Sequence, residues 1–376
     1  MRILHCLPSI GSAGVEVSLL EVVRHLRPPA YEHHVVCAVA GSPIADELRD
    51  RGAQIDTIRG MTDLWSTVRY REALEVARRW RPDLVHGAVM EGIATAAVVA
   101  KRLRIPLVNE EAFDPANRSW RGHLVARSAF TMADLCVAAS PFVARYLTDT
   151  LRLPKRKVRT VVYGVQEPVR PPAPELARLR RELGMGDTAV VVGTVSRLSD
   201  DHKRVSDLLA AVARLQRQHG DLHFLVVGDG PDRAALEAQA GTTEHPDRIH
   251  FAGRQIPADR FYYLMDVFST APQREAFGLV AAEAMRAGLP VVATRVGGLA
   301  GIVEDGVTGT LVPPRSVAAL AAALEQLVND AGLRTAMGGR GRQLAERRYS
   351  PARYAADMAA VYGELLPTPG PAPSSA

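Results

Sequence analysis

Nowhere does this chain carry an apolar run long enough to cross a bilayer. Its best stretch, Ile93-Ala94-Thr95-Ala96-Ala97-Val98-Val99-Ala100, falls far short of the roughly 20 residues a spanning helix needs. The start, Met1-Arg2-Ile3-Leu4-His5-Cys6-Leu7-Pro8, lacks the apolar core and small-residue cleavage site of a signal peptide, so a cytoplasmic location is expected. Cysteine is scarce. Cys6, Cys37 and Cys136 lie far apart in apolar stretches, which excludes a disulfide framework and shows no metal-ligand spacing. Aromatic content of 5% offers no stacking platform for single-stranded nucleic acid, and no nucleic-acid motif occurs; no nucleic-acid partner is expected. The charge of +5 points only loosely to an anionic partner, a membrane surface and a phosphorylated small molecule among them. There is no repeat of 20–50 residues.

What is present is alternation. At 376 residues two domains are the natural expectation. Short β-like runs alternate with helical patterns, beginning with a strand at 2–7, the loop Pro8–Gly14 and a helix from Val15 to Leu26. Strands follow at 33–40, 55–58, 83–86, 106–108, 133–138 and 158–162. Helices are expected at 43–51, 68–80, 91–103 and from the Ser140 cap to Leu147. Gln166 to Pro174 holds four prolines and reads as a linker. A second series then begins, with strands at 188–195, 222–227, 249–252, 266–269, 291–294 and 310–312. Its helices are expected at 205–219, 231–240, 256–264 and 316–329, and a last one at 351–366.

Such alternation predicts an α/β protein of mostly parallel sheets with helices on both faces, two doubly wound Rossmann-like domains facing each other across a cleft. The expected division is an N-terminal domain over 1–165, a linker over 166–186 and a C-terminal domain over 187–348. A helix over 349–366 is expected to return to the N-terminal domain, and the Pro/Ser/Ala tail over 367–376 to be disordered.

Four features of the second series fall at strand ends. Arg197 follows a strand with Lys203 six residues on, which suits a diphosphate or, equally, two solvated cations. Gly228-Asp229-Gly230-Pro231 is a glycine-rich strand-to-helix turn where a ligand can approach the backbone. Phe251-Ala252-Gly253-Arg254 ends another strand. Glu275 and Glu283 lie eight residues apart in Glu275-Ala276-Phe277-Gly278-Leu279-Val280-Ala281-Ala282-Glu283, a stretch that reads as the opening turns of a buried helix. If it is helical, the second acid stands about two turns on, near the same crevice.

The order and spacing of these four features resembles the nucleotide-sugar domain of family 4 glycosyltransferases, which have the GT-B fold. Glu283-Ala284-Met285, Gly288-Leu289-Pro290, Gly297-Gly298 and Asp305-Gly306 extend the match. The N-terminal half matches more loosely, through Ala13-Gly14-Val15-Glu16 and Asp83-Leu84-Val85-His86. The resemblance implies a retaining, metal-independent hexosyl- or N-acetylhexosaminyl-transferase, with no cofactor beyond a nucleoside-diphosphate sugar as co-substrate. On it, Arg197 and Lys203 hold the donor diphosphate and Glu275 lies over the sugar. Phe277, Gly278 and Leu279 present amides, Glu283 bonds the ribose, and peptide groups near Arg254 meet the base. Gly14 lets the N-terminal loop approach the donor phosphates, and Gly228, Asp229 and Gly230 form a donor-side turn. Three positions depart from the family pattern. Ala13 replaces a glycine, Glu111 takes the place of a histidine that reaches the sugar, and Gly301 stands where an acid is usual.

The acceptor side is sparser. Candidates are His86, which reads as a structural strand-end histidine or a base, and Arg118, Trp120 and Arg121. With the basic run Arg152, Lys155, Arg156, Lys157 and Arg159, they suit an anionic lipid surface or a lipid-linked, sugar or small-molecule acceptor, or are simply solvated faces. Expected roles lie in cell-envelope polysaccharide, glycolipid or small-glycoside synthesis, in the cytoplasm or at the inner membrane face. The competing readings are a nucleotide-sugar 2-epimerase and a non-catalytic, transferase-like partner subunit.

Overall fold

The computed structural model describes residues 1–11, 14–63, 65–114 and 118–366. Ala13, Asn117 and the tail over 367–376 lie outside the described residues. In chain order the first series is β1 (Arg2–Cys6), α1 (Gly14–His25), β2 (Glu32–Cys37), α2 (Pro43–Asp50), β3 (Gln54–Thr57) and α3 (Thr67–Trp80). It continues with β4 (Leu84–Ala88), α4 (Val89–Leu103), β5 (Leu107–Glu111), α5 (Trp120–Thr131), β6 (Leu135–Ala138), α6 (Pro141–Arg145) and β7 (Val158–Thr160). The second series is α7 (Ala173–Glu182), β8 (Val190–Val195), α8 (Asp200–Lys203), α9 (Val205–Gln216), β9 (Leu222–Val227), α10 (Arg233–Gly241), β10 (Ile249–Gly253) and α11 (Asp259–Tyr262). Then come β11 (Val267–Thr270), α12 (Leu279–Arg286), β12 (Val291–Thr294), α13 (Leu299–Ile302), β13 (Gly309–Val312), α14 (Val317–Asn329), α15 (Ala331–Arg348) and α16 (Pro351–Leu365).

These elements form two compact units. One is built from residues 1–164 and the segment that begins at Ser350; the other runs from Val165 to Tyr349. Unit one holds a seven-stranded sheet in the order β3-β2-β1-β4-β5-β6-β7, and unit two a six-stranded sheet in the order β10-β9-β8-β11-β12-β13. Every pairing is parallel. The central strands β4, β5, β6, β9, β11 and β12 are buried throughout, as strands covered on both faces by helices must be. No helix among the described residues is long and apolar enough to cross a membrane. The three cysteines are buried and free, and burial pushes the thiols of Cys6 and Cys136 up to about 12.

Several expectations need correction. The stretch read as a linker contains α7, because Pro172 and Pro174 sit at a helix start, where a missing N–H costs nothing. The 18 residues of α15 carry no apolar stripe to announce them. Their packing face mixes Met337, Leu344 and Ala345 with Gly338 and Gly341, and a Cβ on Gly338 would overlap the Gly288 carbonyl oxygen. In 256–264 only the single turn Asp259–Tyr262 is helical. The helix opened by Ser140 runs to Arg145 and continues as one wider π-helical turn over Tyr146–Thr150. α5 lies outside the expected helices, although Ser119 caps it by accepting from the Gly122 N–H at 3.2 Å.

Candidate active site

In unit two the strand order reverses between β8 and β11. In an open parallel sheet, ligands bind outside the carboxyl ends of the strands at such a point. Arg197 follows β8 and Glu275 follows β11, so a cation and an acid flank the switch.

Glycine sets how closely the strand-end loops stack there. Gly228, after β9, has φ of 139°, and a Cβ on it would overlap the Ser196 carbonyl oxygen; one on Gly230 would overlap that of Leu198. The Leu198 N–H donates to the Asp229 carbonyl at 2.9 Å, so the loop after β9 supports the loop that carries Arg197. After β12, a Cβ on Gly297 would overlap the Glu275 carbonyl oxygen, which accepts the Gly298 N–H at 2.8 Å. The loop after β12 therefore supports Glu275.

The turn α8 completes the arrangement. Its His202 carbonyl accepts the Gln273 N–H at 2.9 Å, and its Lys203 places Nζ 2.8 Å from Glu275 Oε2. Both side chains are about four-fifths buried, at 21% and 19% exposed. Burial, and then the charge of Lys203, lowers the pKa of His202. Arg197, by contrast, is exposed, and its guanidinium makes no hydrogen bond or ion pair among the described residues. Asp229 holds the Gly230 N–H at 2.8 Å and stands 3.6 Å from Arg233, while Arg254 is exposed just after Gly253.

The Glu275–Glu283 stretch differs from the expected helix. Gly278 sits at φ 110° and α12 starts only at Leu279, so Glu275 belongs to a loop and Glu283 lies one turn into the helix, four residues on from Leu279. Phe277 turns its ring inward against Tyr349, with centroids 5.8 Å apart. The first-turn N–H groups at Leu279 and Val280 have no helical acceptor. Glu283 accepts the Tyr262 hydroxyl at 2.5 Å. Burial raises its carboxyl above the ordinary value of 4.5, the Tyr262 bond pulls it back, and Asp259 adds a smaller upward push.

In unit one, Gly14 opens α1, and its carbonyl accepts the Ser18 hydroxyl at 2.8 Å. Glu111 ends β5, is buried, and pairs with Arg118 at 2.5 Å. Arg118 also donates to the Tyr146 hydroxyl at 3.1 Å, and His123 Nδ1 lies 3.1 Å from the same oxygen. Burial pushes the Glu111 carboxyl up, against the pull of Arg118. Two residues expected on different substrates are thus one ion pair. Trp120 and Arg121 begin α5 in solvent, with the guanidinium 5.2 Å from the ring centroid. His86 is buried: its Nδ1 is 2.9 Å from the Tyr362 hydroxyl of α16, and its Nε2 is 3.4 Å from Glu110. With His5, Glu110 and Tyr354 it lines a water-sized cavity of about 20 Å³. This geometry gives His86 a structural task, holding α16 on the sheet. A Cβ on Gly301 would meet open space, so nothing in the packing explains the glycine there.

Sequence reasoning missed Tyr262, Gln273, Tyr146 and Glu110. None falls in a motif, and no linear spacing ties Tyr262 to Glu283 or Tyr146 to Arg118.

Two family models cover the chain. Glycosyltransferase Family 4 matches residues 12–167, and Glycosyl transferases group 1 matches residues 177–344. The chain belongs to glycosyltransferase family 4. It is 25% identical over 380 residues to the N-acetyl-alpha-D-glucosaminyl L-malate synthase of Bacillus anthracis, covering 96% of each chain. It is 33% identical over 311 residues to the D-inositol 3-phosphate glycosyltransferase of Salinispora tropica, covering 77% of this chain and 60% of that one. Anabaena HepE, solved with UDP and glucose, superposes with a TM-score of 0.84 at 21% identity, covering 97% of this chain and 100% of that one. That likeness is one of fold, and the fold of this glycosyltransferase is GT-B.

Proposed function

We propose that this glycosyltransferase is a retaining, metal-independent hexosyl- or N-acetylhexosaminyl-transferase that moves a sugar from a nucleoside-diphosphate sugar to an acceptor hydroxyl. The observation that carries the reading is the Lys203–Glu275 contact at the switch point of unit two, with Arg197, unpaired among the described residues, on the loop after β8. A departing diphosphate concentrates charge, and its stabilisation is the main electrostatic task of such a transfer. Arg197 meets it with a planar fork and Lys203 as a point charge, aided by the open N–H groups at the head of α12. Lys203 holds Glu275 in place for the sugar hydroxyls. Glu283, fixed by Tyr262, accepts from the ribose, and peptide groups by Arg254 meet the base. In a same-face substitution the C1–O bond to phosphate breaks, the acceptor oxygen bonds C1, and its proton passes to the leaving phosphate.

Solved HepE holds UDP-glucose in one structure, which supports a nucleoside-diphosphate donor. Relatives named for malate and for inositol 3-phosphate favour a small hydroxylated acceptor, within the range of small-glycoside, glycolipid or envelope polysaccharide synthesis. In unit one, Gly14 and Glu111 keep their donor-side roles on the family resemblance alone, and Arg118 its acceptor-side role on its charge.

A thermal-shift panel of UDP-, GDP- and ADP-sugars, with and without chelator, tests the donor. A true donor at about 100 times its Kd stabilises the fold by about 2.7 kcal/mol, and chelator leaves the shift unchanged. Arg197→Ala lowers kcat/KM by about 10²–10³-fold, and NMR of the product shows the donor's anomeric configuration kept. Epimerised sugar from donor alone, or an inverted product, would sink the reading.

A further inference from the structure

We propose that the outward face of α5, with the basic turn at its C-terminal end, is a docking surface for an anionic lipid bilayer. This goes beyond the transferase reading and does not depend on it. The helix satisfies its core with one side only, through Ala126, Ala129 and Phe130. Its opposite side presents Trp120, Leu124, Arg127 and Thr131, at spacings of four, three and four residues, which form a single stripe. Trp120 is 68% exposed and Leu124 57%, with Met132 at 43% just after the helix. Large side chains on the side a helix turns away from its own core contribute nothing to folding. Clustered, they mark a contact surface.

Charge selects the partner. Residues 113–160 hold nine Arg and Lys against three Asp, a net charge of +6 that exceeds the +5 of the whole chain. α5 itself contains no acid. Lys157 Nζ donates to the carbonyls of Thr131 and Ala133, at 3.2 and 2.7 Å, and so fixes the turn Lys155–Lys157 against the end of α5. Arg121, Arg127, Arg152, Lys155 and Arg156 are exposed and pair with no carboxylate among the described residues. The turn Lys155–Lys157 is therefore a neighbour in space of the C-terminal end of α5, where Met132 is exposed. A soluble polyanion would use the charges and leave Trp120, Leu124 and Met132 wet. A bilayer with anionic headgroups uses both: the cations sit at the phosphates, and Trp120, with Arg121 over its ring, lies at the interface.

Flotation of the full-length protein with vesicles of phosphatidylcholine, with and without phosphatidylglycerol, tests this. The protein is expected to float only with the anionic lipid, and to detach as about 1 M salt shortens the Debye length from about 10 Å to about 3 Å. Each of Arg127→Glu, Lys155→Glu and Arg156→Glu lowers vesicle partitioning by about fivefold or more. Leu124→Ser lowers it without changing its salt dependence. All four positions are exposed, so the variants keep the parent melting temperature, which shows that the fold is intact. The tryptophan emission is expected to shift to the blue on vesicles, and Trp120→Phe abolishes the shift. Equal flotation with neutral lipid, charge-reversed protein that floats like the parent, or retention on heparin without any flotation would each overturn the proposal.

Discussion

At the scale of single residues, Glu283 shows how a neighbour sets the working state of a buried acid. Burial favours its protonated form, whereas a ribose hydroxyl is best held by the carboxylate. Donor binding is therefore expected to weaken as pH falls through a midpoint above the ordinary 4.5. The Tyr262 hydroxyl stabilises the ionised form, so Tyr262→Phe raises that midpoint further; donor Kd measured against pH would show the move. The same raised pKa acts on stability with the opposite sense. The folded state holds its proton more tightly than the unfolded chain, so this group's contribution is fully present at low pH and declines as pH rises past 4.5. A binding profile unmoved by Tyr262→Phe would mean that Glu283 does not titrate in the donor complex. None of this coupling was legible in the sequence, because residues 262 and 283 meet only through the packing of α11 against α12.

At the scale of elements, the site is a stack of four loops, and the glycines decide its height. Gly228 occupies a backbone conformation that a side chain strains, and its missing Cβ is what admits the Ser196 carbonyl. Gly228→Ala is expected to cost about 2 kcal/mol or more in unfolding free energy and to lift the Arg197 loop. Urea melts together with donor Kd check both effects. A variant with parental stability and affinity would show that the loop relaxes freely. The sequence marked Gly228 and Gly230 as points where a ligand can approach the backbone, and said nothing of this kind about Gly297. For Gly228 and Gly297 the group in contact is a neighbouring loop. The sequence also made one helix of what is a loop, a left-handed glycine and then a helix, because a small-residue, apolar run reads the same in both.

At the scale of the whole molecule, α16 is the last helix among the described residues yet part of the unit that contains the first strand. It buries Tyr354, Met358, Val361 and Tyr362 there, and Tyr362 anchors on His86. Each large side chain so buried contributes about 1.5–3 kcal/mol, a sum comparable to the stability of a domain. A chain truncated before Ser350 is therefore expected to lose the fold of unit one, while a fragment over 165–349 keeps a cooperative melt, because its core is complete within those residues. Calorimetry of the truncated chain and of the fragment decides this. Two intact transitions after truncation would show that α16 is dispensable.

The sequence by itself determined the alternation of strand and helix, and with it two parallel sheets, since period and turn chemistry are local properties of a chain. It also determined that Arg197 and Glu275 follow strand ends. Tertiary structure alone decided who pairs with whom: Lys203 with Glu275 across the switch point, Glu283 with Tyr262, Glu111 with Arg118, and His86 with Tyr362. It also decided that α7 and α15 exist, because proline at a helix start and glycine on a packing face declare themselves only when the neighbouring element is in place. Such contacts join residues that linear spacing leaves unrelated, and only the folded backbone fixes the distance between them.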